Sequence, residues 1–506
     1  MSTNSIDIYK EIRHLIPSEI IEIAESDGYE IYAVGGCIRD LLLGRKTSDI
    51  DIAVVGDAPK LARSISDKLK AGKVAIYARF GTALLRYNGM NYEFATARSE
   101  SYLPDSRKPT EITPVSIDED LSRRDFTINA LALGLTGVNK DRFIDNFNGL
   151  SDLKDGIIRT PLEPEKTFSD DPLRMLRGIR FAAEFSFRID RKTLNGIHKN
   201  TSRIKIVAQE RIGEEIWKML SGSDPVRAMQ LLLECGLMNI IIPEIVAMHG
   251  VEQIGKHHHK EVLLHSLRVM QNVVNNSEDP VVRLAGILHD VGKPLTKKFI
   301  AKQGWTFHGH EVVGARIAGR IGRRLRIGRQ NLAKLTSLVR LHMRPVNLTS
   351  DGVTDSAIRR LMVETGDYLD DQLILCRADI TTANPRLVGK YLANFEEMQR
   401  RMGDVEARDK MRKFQSPLRG DEIMEICGVT AGPVIGALKG GIEDAILEGK
   451  IPYTSEAARE YLLEIKDEII NTDIEKLRQE IRNRSKDRRS INSGFQFPED
   501  EAGGGQ

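Results

Sequence analysis

The sequence predicts a mixed α/β head carried on a long, mostly helical body, and three observations lead to that prediction. A strand pattern runs into Gly35-Gly36, a short helix and a second strand pattern. An Asn88-Gly89 turn lies between two β-rich runs, which is the strongest short hairpin signal because both turn positions need φ > 0. From about Arg124 onward the apolar residues recur with the 3.6-residue period of helices.

The elements follow in order. Residues 6–15 read as an amphipathic helix and a second helix leads to Glu25, together a helical leader over 1–27. Residues 29–34 are a strand, 38–43 a helix and 50–55 a strand, followed by the hairpin FGTALLRY–NG–MNYEFATAR. The head is expected over 28–155, closed by the loop-rich stretch 139–159, with a helical neck and body over 156–255. A metal-ligand-bearing domain over 256–400 comes next, then a helical region over 401–484 and a polar, Gly-rich, disordered tail over 485–506. Residues 248–260 read as a boundary loop, with His257, His258 and His259 in solvent.

Composition bounds the function. A chain of 506 residues is long enough for about three to four domains. Its 41% hydrophobic and 29% charged residues exclude wholesale disorder. A net charge of +2 excludes an indiscriminate polycation, although a local basic face can hide inside a neutral total. Cys37, Cys235, Cys376 and Cys427 lie far apart with no CxxC pair, which disfavours a disulfide framework or zinc ribbon and fits a reducing compartment. No basic segment followed by an apolar core opens the chain, and no apolar run approaches the ~20 residues that span a bilayer. A cytoplasmic protein without a membrane partner is expected.

Chemistry enters at SDIDIAVVG. Side chains alternate across a strand, so Asp49 and Asp51 share one face while Ile50, Ile52 and Val54 cover the core. Two carboxylates at i, i+2 repel unless a cation sits between them, and Mg²⁺, a hard ion that keeps waters for phosphates, is the natural occupant. A solvated acidic strand edge would look the same in isolation. Upstream, Gly35 and Gly36 form a strand-to-helix turn that lets backbone N–H groups approach a phosphate, with Arg39 in the helix that follows. Downstream, LSRRDFTINA supplies Arg124 as a bidentate phosphate clamp and Asn129 to orient a ribose or phosphate. Glu93, on the hairpin, is a candidate third carboxylate.

GGCIRDLLLG, SDIDIAVVG and RRDFTINALA, in that order and spacing, resemble the class II tRNA nucleotidyltransferases and their poly(A) polymerase relatives. The resemblance implies a polymerase β-like head that transfers a nucleoside monophosphate from CTP or ATP to an RNA 3′ end, releasing pyrophosphate. It assigns metal binding to Asp49 and Asp51, nucleotide binding to Gly35, Gly36 and Arg39, and the RRD arginine to Arg124.

In TFSDDPLRMLRGIRF, Pro172 suits the first position of a helix and Asp171 its N-cap. A carboxylate one turn from Arg174 also matches a base edge with an amino group beside a ring nitrogen. Cytosine and adenine share that edge; guanine and uracil leave buried groups unpaired. The stretch resembles the EDxxR motif of the same family, which implies that Asp171 and Arg174 read the base and that Arg177 and Arg180 contact the nucleotide. Asp170 stands where that motif has Glu.

His265, the adjacent His289-Asp290 and Asp379 combine imidazole with carboxylate in a way that suits a divalent metal of unspecified identity. Their order resembles the HD metal-dependent phosphohydrolases. That likeness implies these four as ligands, with His310 and His342 where some members recruit a second metal. The two resemblances together imply a CCA-adding enzyme acting on the tRNA 3′ end with CTP and ATP. No DNA partner is expected, and an HD phosphohydrolase activity on RNA ends is possible. A partial-end (A- or CC-adding) enzyme, a poly(A) polymerase and a chiefly hydrolytic HD protein are the alternatives. Arg316, Arg320 and Arg324, at i, i+4 and i+8, are a candidate RNA-facing stripe opposite the apolar Ile317, Ile321 and Leu325.

Overall fold

In a computed structural model of the chain, residues 12–47, 49–102, 109–255, 258–301, 304–347, 354–381, 385–409 and 414–472 are described. Two compact units emerge, Met1–Ile241 and Ile242–Gln506.

The first unit is built on a mixed sheet. Its first five strands are β1 (Glu30–Val34), β2 (Asp49–Val55), β3 (Ala75–Tyr77), β4 (Thr82–Tyr87) and β5 (Met90–Thr96). β6 (Arg98–Tyr102) and β7 (Pro109–Pro114) form a separate antiparallel ribbon. β8 (Ala132–Gly134) and β9 (Phe143–Ile144) complete the main sheet, whose order is β3-β4-β5-β2-β1-β8-β9. β2 runs parallel to β5 and antiparallel to β1. Alternation divides the residues as the pattern predicts. Ile50, Ile52 and Val54 are buried with Ile31, Ala33, Phe94 and the helices α1 (Ser18–Ser26) and α3 (Ala58–Leu69), leaving Asp49 and Asp51 on the other face. α2 (Gly36–Leu42) follows β1 directly. Asn88 and Gly89 both take positive φ, 47° and 79°, as the hairpin requires.

Several strand pairings escape the hydrophobic pattern. β8 and β9 lie beyond Arg124, where helical periodicity predominates, and each is only two or three residues long. The stretch 139–159, expected as loop, contains β9 and a helix at Gly149–Asp155. In the second unit, the expected loop around residues 248–260 is instead a ribbon of β10 (Glu252–Gly255) and β11 (His258–Glu261). Its strands carry one β-branched residue, Ile254, so backbone pairing makes them strands, not side-chain pattern. Most of the helix expected over 6–15, the side chains of His257, His258 and His259, and the expected tail lie outside the described residues.

After the sheet, α4 (Ile117–Ser122) precedes the RRD turn, and two helices follow where one was expected: α5 (Pro164–Asp170) and α6 (Leu173–Glu184). Asp171 breaks between them in extended conformation. Its carboxylate accepts from the Leu173 N–H at 3.1 Å, but the helix begins one residue later than expected, with Pro172 and not Asp171 in the N-cap position. α6 packs on α7 (Gln209–Ser221).

The second unit is helical. α8 (Val262–Val274), α9 (Pro280–Leu288), α10 (His310–Arg324), α11 (Arg329–Leu341) and α13 (Leu369–Asp379) surround the histidines, with α12 (Asp355–Thr365) between the last two. A short hairpin, β12 (Lys298–Ile300) and β13 (Gly304–Thr306), precedes α10. α14 (Pro385–Asp409), α15 (Gly420–Cys427), α16 (Pro433–Leu447) and α17 (Ser455–Ile470) share a second apolar core with α12 and α13, including Phe395, Met402, Leu438 and Leu462. Among the described residues no helix is long and apolar enough to cross a membrane.

Candidate active site and metal centre

The glycine turn, the acidic strand and the RRD segment converge in the first unit. Gly35 takes φ 73°, a conformation that L side chains resist. A Cβ there would lie 2.6 Å from Arg124 Nη1 and 3.7 Å from an Asp51 carboxylate oxygen, and one on Gly36 would lie 3.9 Å from the same oxygen. The backbone angle favours glycine at position 35, and a side chain there would have to displace the Arg124 guanidinium. Asp49 pairs in register with Asn91 and Asp51 with Glu93, so three carboxylates project from two adjacent strands. The Asn91 amide donates to Asp49 at 2.7 Å. Burial pushes the Asp51 carboxyl up to about 6; Glu93 and Asp49 add to the rise while Arg124 and Arg39 oppose it. An all-oxygen donor set whose mutual repulsion Arg124 and Arg39 only partly offset fits a hard divalent cation.

The two arginines are braced differently. Arg124 gives Nε and Nη2 to Asp120, at 3.3 and 3.2 Å, which leaves Nη1 over Gly35. Asp120 is buried, and Arg123 pairs with it as well at 3.1 Å. Arg39 is itself buried, donates to Asp40 at 2.7 Å and to the Asn129 side-chain oxygen at 2.7 Å, and lies 4.9 Å from both the Phe181 and Phe185 rings.

Asn129 links two sites. Its oxygen accepts from Arg39 while its amide donates to Asp125 at 2.9 Å, and Asp125 in turn holds Arg177 at 2.6 Å. Burial alone would raise the Asp125 carboxyl, but Arg177, Asn129 and Arg174 outweigh it and hold it at about 2. A continuous hydrogen-bonded chain thus runs from the glycine turn through buried Asn129 and Asp125 to the half-buried Arg177 of α6. Arg180 is spent on Glu215 at 2.8 Å and Glu184 at 3.1 Å, with the Phe181 ring 4.3 Å away. Arg174, half-buried, has no hydrogen-bond or ion-pair partner among the described residues. Of the expected nucleotide contacts on and just before α6, Asp171 and Arg174 keep an available edge. Arg177 and Arg180 are engaged within the protein, and so is Asn129.

Sequence reasoning missed the braces Asp40, Asp120 and Asp125. The i, i+4 spacing of Asp120 and Arg124 was a readable signal for one of them. The hub role of Asp125 depends on Arg177 arriving from another element and had none.

In the second unit all six metal-type residues come together. His265, His289 and Asp379 form one group, and Asp290, His310 and His342 another. His289 and His342 stand at the ends of α9 and α11, and Asp379 at the end of α13, where helix dipoles favour a cation. The Nδ1 atoms of His289, His310 and His342 donate to the carbonyls of Gly286, Phe307 and Val339 at 2.9, 2.9 and 2.8 Å. Those carbonyls can only accept, so they fix the tautomer and turn each Nε2 lone pair inward. His265 and His289 then face each other at 3.3 Å, and His310 and His342 at 3.2 Å. His265 reaches Asp379 at 3.0 Å, and Lys293 reaches Asp290 at 2.6 Å. Burial and the neighbouring His289 push His342 down to about 4, so it stays neutral as a ligand must. Opposed imidazole lone pairs beside carboxylates fit a borderline divalent metal. Within the arginine stripe of α10, Arg324 is paired with Glu244 at 2.6 Å, while Arg316 and Arg320 are exposed.

The molecule is therefore a head with a nucleotide-type turn and carboxylate site, joined in sequence to a histidine–aspartate metal domain. Residues 31–159 match the poly A polymerase head domain, 186–248 the probable RNA and SrmB-binding site of polymerase A, and 262–384 the HD domain. Both catalytic domain types imply use of divalent metal. The CCA-adding enzyme of Lactobacillus helveticus is 40% identical over 219 residues, covering 43% of this chain and 53% of that protein. The chain thus spans about half the length of the CCA-adding relatives it matches. The CC-adding tRNA nucleotidyltransferase of Thermus thermophilus is 30% identical over 455 residues, covering 86% of this chain and 93% of that protein. The fold is shared with the Bacillus stearothermophilus CCA-adding enzyme in complex with CTP, at TM-score 0.57 and 23% identity over 92% of this chain and 97% of that one. This chain belongs to the tRNA nucleotidyltransferase family.

Proposed function

We propose that the chain adds C, C and A to the 3′ end of tRNA from CTP and ATP, releasing pyrophosphate, in the cytoplasm. The observation that carries this reading is the meeting of Gly35-Gly36, Asp51 and Arg124 Nη1 within one small volume, with Glu93 in register beside Asp51. The RNA 3′-oxygen forms a bond to the α-phosphorus as the bond to pyrophosphate breaks. Mg²⁺ held by Asp49, Asp51 and Glu93 would supply Lewis-acid stabilisation of the triphosphate. The Gly35-Gly36 turn lets the triphosphate approach the backbone, and Arg124 and Arg39 offset its charge from braced positions. Asp171 and Arg174 present an acceptor and a donor to the base; Arg177, Arg180 and Asn129 hold α6 and the turn in place behind them.

The assay is incorporation on tRNA lacking its terminal CCA, with CTP and ATP separately and together. Full CCA requires C addition from CTP alone and A addition only after it. A product that stops at CC in the presence of both would replace this reading with that of the Thermus thermophilus relative. A addition without C would sink both.

The inward-turned Nε2 atoms of the second unit support a separate activity, hydrolysis of phosphate esters at RNA ends. A divalent metal held by His265, His289, Asp290 and Asp379 would supply an activated water there. Equal phosphate release from a 2′,3′-cyclic phosphate end by His289→Ala and the parent would remove that activity.

A further inference from the structure

Between the metal ligands Asp290 and His310 the chain runs VGKPLTKKFIAKQGWTFHG, with four lysines and no acidic residue. Its β12–β13 hairpin carries apolar side chains into solvent, Phe299 66% exposed, Ile300 39% and Trp305 37%, and Leu295 in the helical turn Lys293–Thr296 just before it is 70% exposed. Phe299 and Trp305 are directly opposed in register, their rings edge-to-face at 5.4 Å. Lys297, two residues before Phe299 and so on its face of the ribbon, places its ammonium 4.6 Å from the Trp305 ring centre. Both legs of the hairpin are rooted at the metal centre. On the entering side Lys293 donates to Asp290 at 2.6 Å, and on the returning side the Phe307 carbonyl accepts from His310 at 2.9 Å. Lys293 also lies 5.7 Å from the Phe307 ring.

We propose that this hairpin is a docking platform for a single-stranded RNA end at the second unit's metal centre. Exposed rings beside lysines suit a polyanion whose bases offer flat faces: Phe299 and Trp305 receive bases, Lys297 on the same face neutralises phosphate between them, and Lys298 adds positive charge from the other face of the ribbon. An apolar protein partner would use the rings but leave an uncompensated row of lysines against it. The choice of an RNA end, as distinct from any single strand, rests on the hydrolytic reading of the metal centre.

The chain has two tryptophans, so Trp217→Phe in the full-length protein leaves Trp305 as the sole reporter. A short single-stranded oligoadenylate should quench Trp305, a duplex of the same length should not, and added salt should weaken the quenching. Phe299→Leu, which keeps an apolar side chain without a ring, should weaken binding about tenfold, while Phe299→Tyr should restore it. No quenching by the oligonucleotide, equal quenching by the duplex, or a Phe299→Leu variant that binds as the parent would overturn the platform. So would a Trp305 response to phosphatidylglycerol vesicles in place of RNA. Quenching that persists while 3′-phosphate and cyclic-phosphate ends are not hydrolysed would support the platform and remove the hydrolytic reading instead.

Discussion

Asp125 carries more of the head's organisation than its place in an Arg-Arg-Asp run suggests. It is buried, yet held at about 2 against the cost of burial by Arg177, Asn129 and Arg174. A depressed carboxyl stabilises the fold above the unfolded-state value near 4, and that contribution fades as pH falls through the folded value. Asp125→Asn should therefore lower stability by about 2 kcal/mol at neutral pH. The gap between parent and variant, measured by denaturant unfolding, should close between about pH 4 and pH 2. A gap independent of pH would mean that Asn129 and packing, not the ion pair, do the holding. The carboxylates at the turn behave differently, because their repulsion is left for a cation. Asp51→Asn should cut nucleotide incorporation by about a thousandfold or more while the fold becomes more stable at neutral pH, since a carboxyl raised by burial disfavours the folded state once ionised; Glu93→Gln, more exposed on the neighbouring strand, should cut incorporation by about tenfold to a hundredfold. Equal losses at Glu93 and Asp51 would make all three carboxylates equivalent. The charged pairs at i, i+2 and the glycine turn were legible because strand alternation and φ requirements are local. The link from Asn129 through Asp125 to Arg177 was not, since it joins residues whose meeting depends on where α6 lands.

At the scale of elements, α6 is positioned by shape as well as charge. Gly178 faces the Phe126 ring so closely that a Cβ would lie 2.8 Å from its nearest atom. Phe126 is fully buried and packs edge-to-face on Phe181 at 6.0 Å, so the ring has nowhere to retreat. Gly178→Ala would normally favour a helix, but here it should destabilise by about 1–3 kcal/mol and raise misincorporation of UTP, because Arg174 rides on the same helix and Asp171 is tied to its first turn through the Leu173 N–H. A stabilised variant with unchanged base choice would show that α6 adjusts freely. The long amphipathic helices were readable from periodicity, as were β1, β2 and the β4–β5 hairpin. The short strands β8 to β11 were not: they are too brief to show alternation, and neighbouring backbone defines them. The break at Asp171 was hidden by Pro164 and Pro172, either of which could open a helix.

At the scale of the whole molecule, the two units should unfold as separate transitions with separate metal dependence. A metal that binds only the folded second unit stabilises it by about 2.7 kcal/mol at a hundredfold excess over its dissociation constant. Removing metal with a chelator should therefore lower one calorimetric transition and leave the other in place. His289→Ala should abolish that metal-dependent shift while preserving CTP incorporation. Loss of both would mean that the activities are not separable.

The placement of the ligands along the chain has a further consequence for synthesis. Every residue of the nucleotide site lies between Gly35 and Arg180, inside a unit that ends at Ile241. The metal centre instead needs His265, which emerges early, to wait for Asp379 at the far end of α13. On the ribosome, the first catalytic site can be finished while the second is still an unjoined set of histidines. During that interval those histidines are open to any metal at hand. The full set of imidazole and carboxylate donors exists only once α13 has folded, so a metal taken up earlier would be held by an incomplete set.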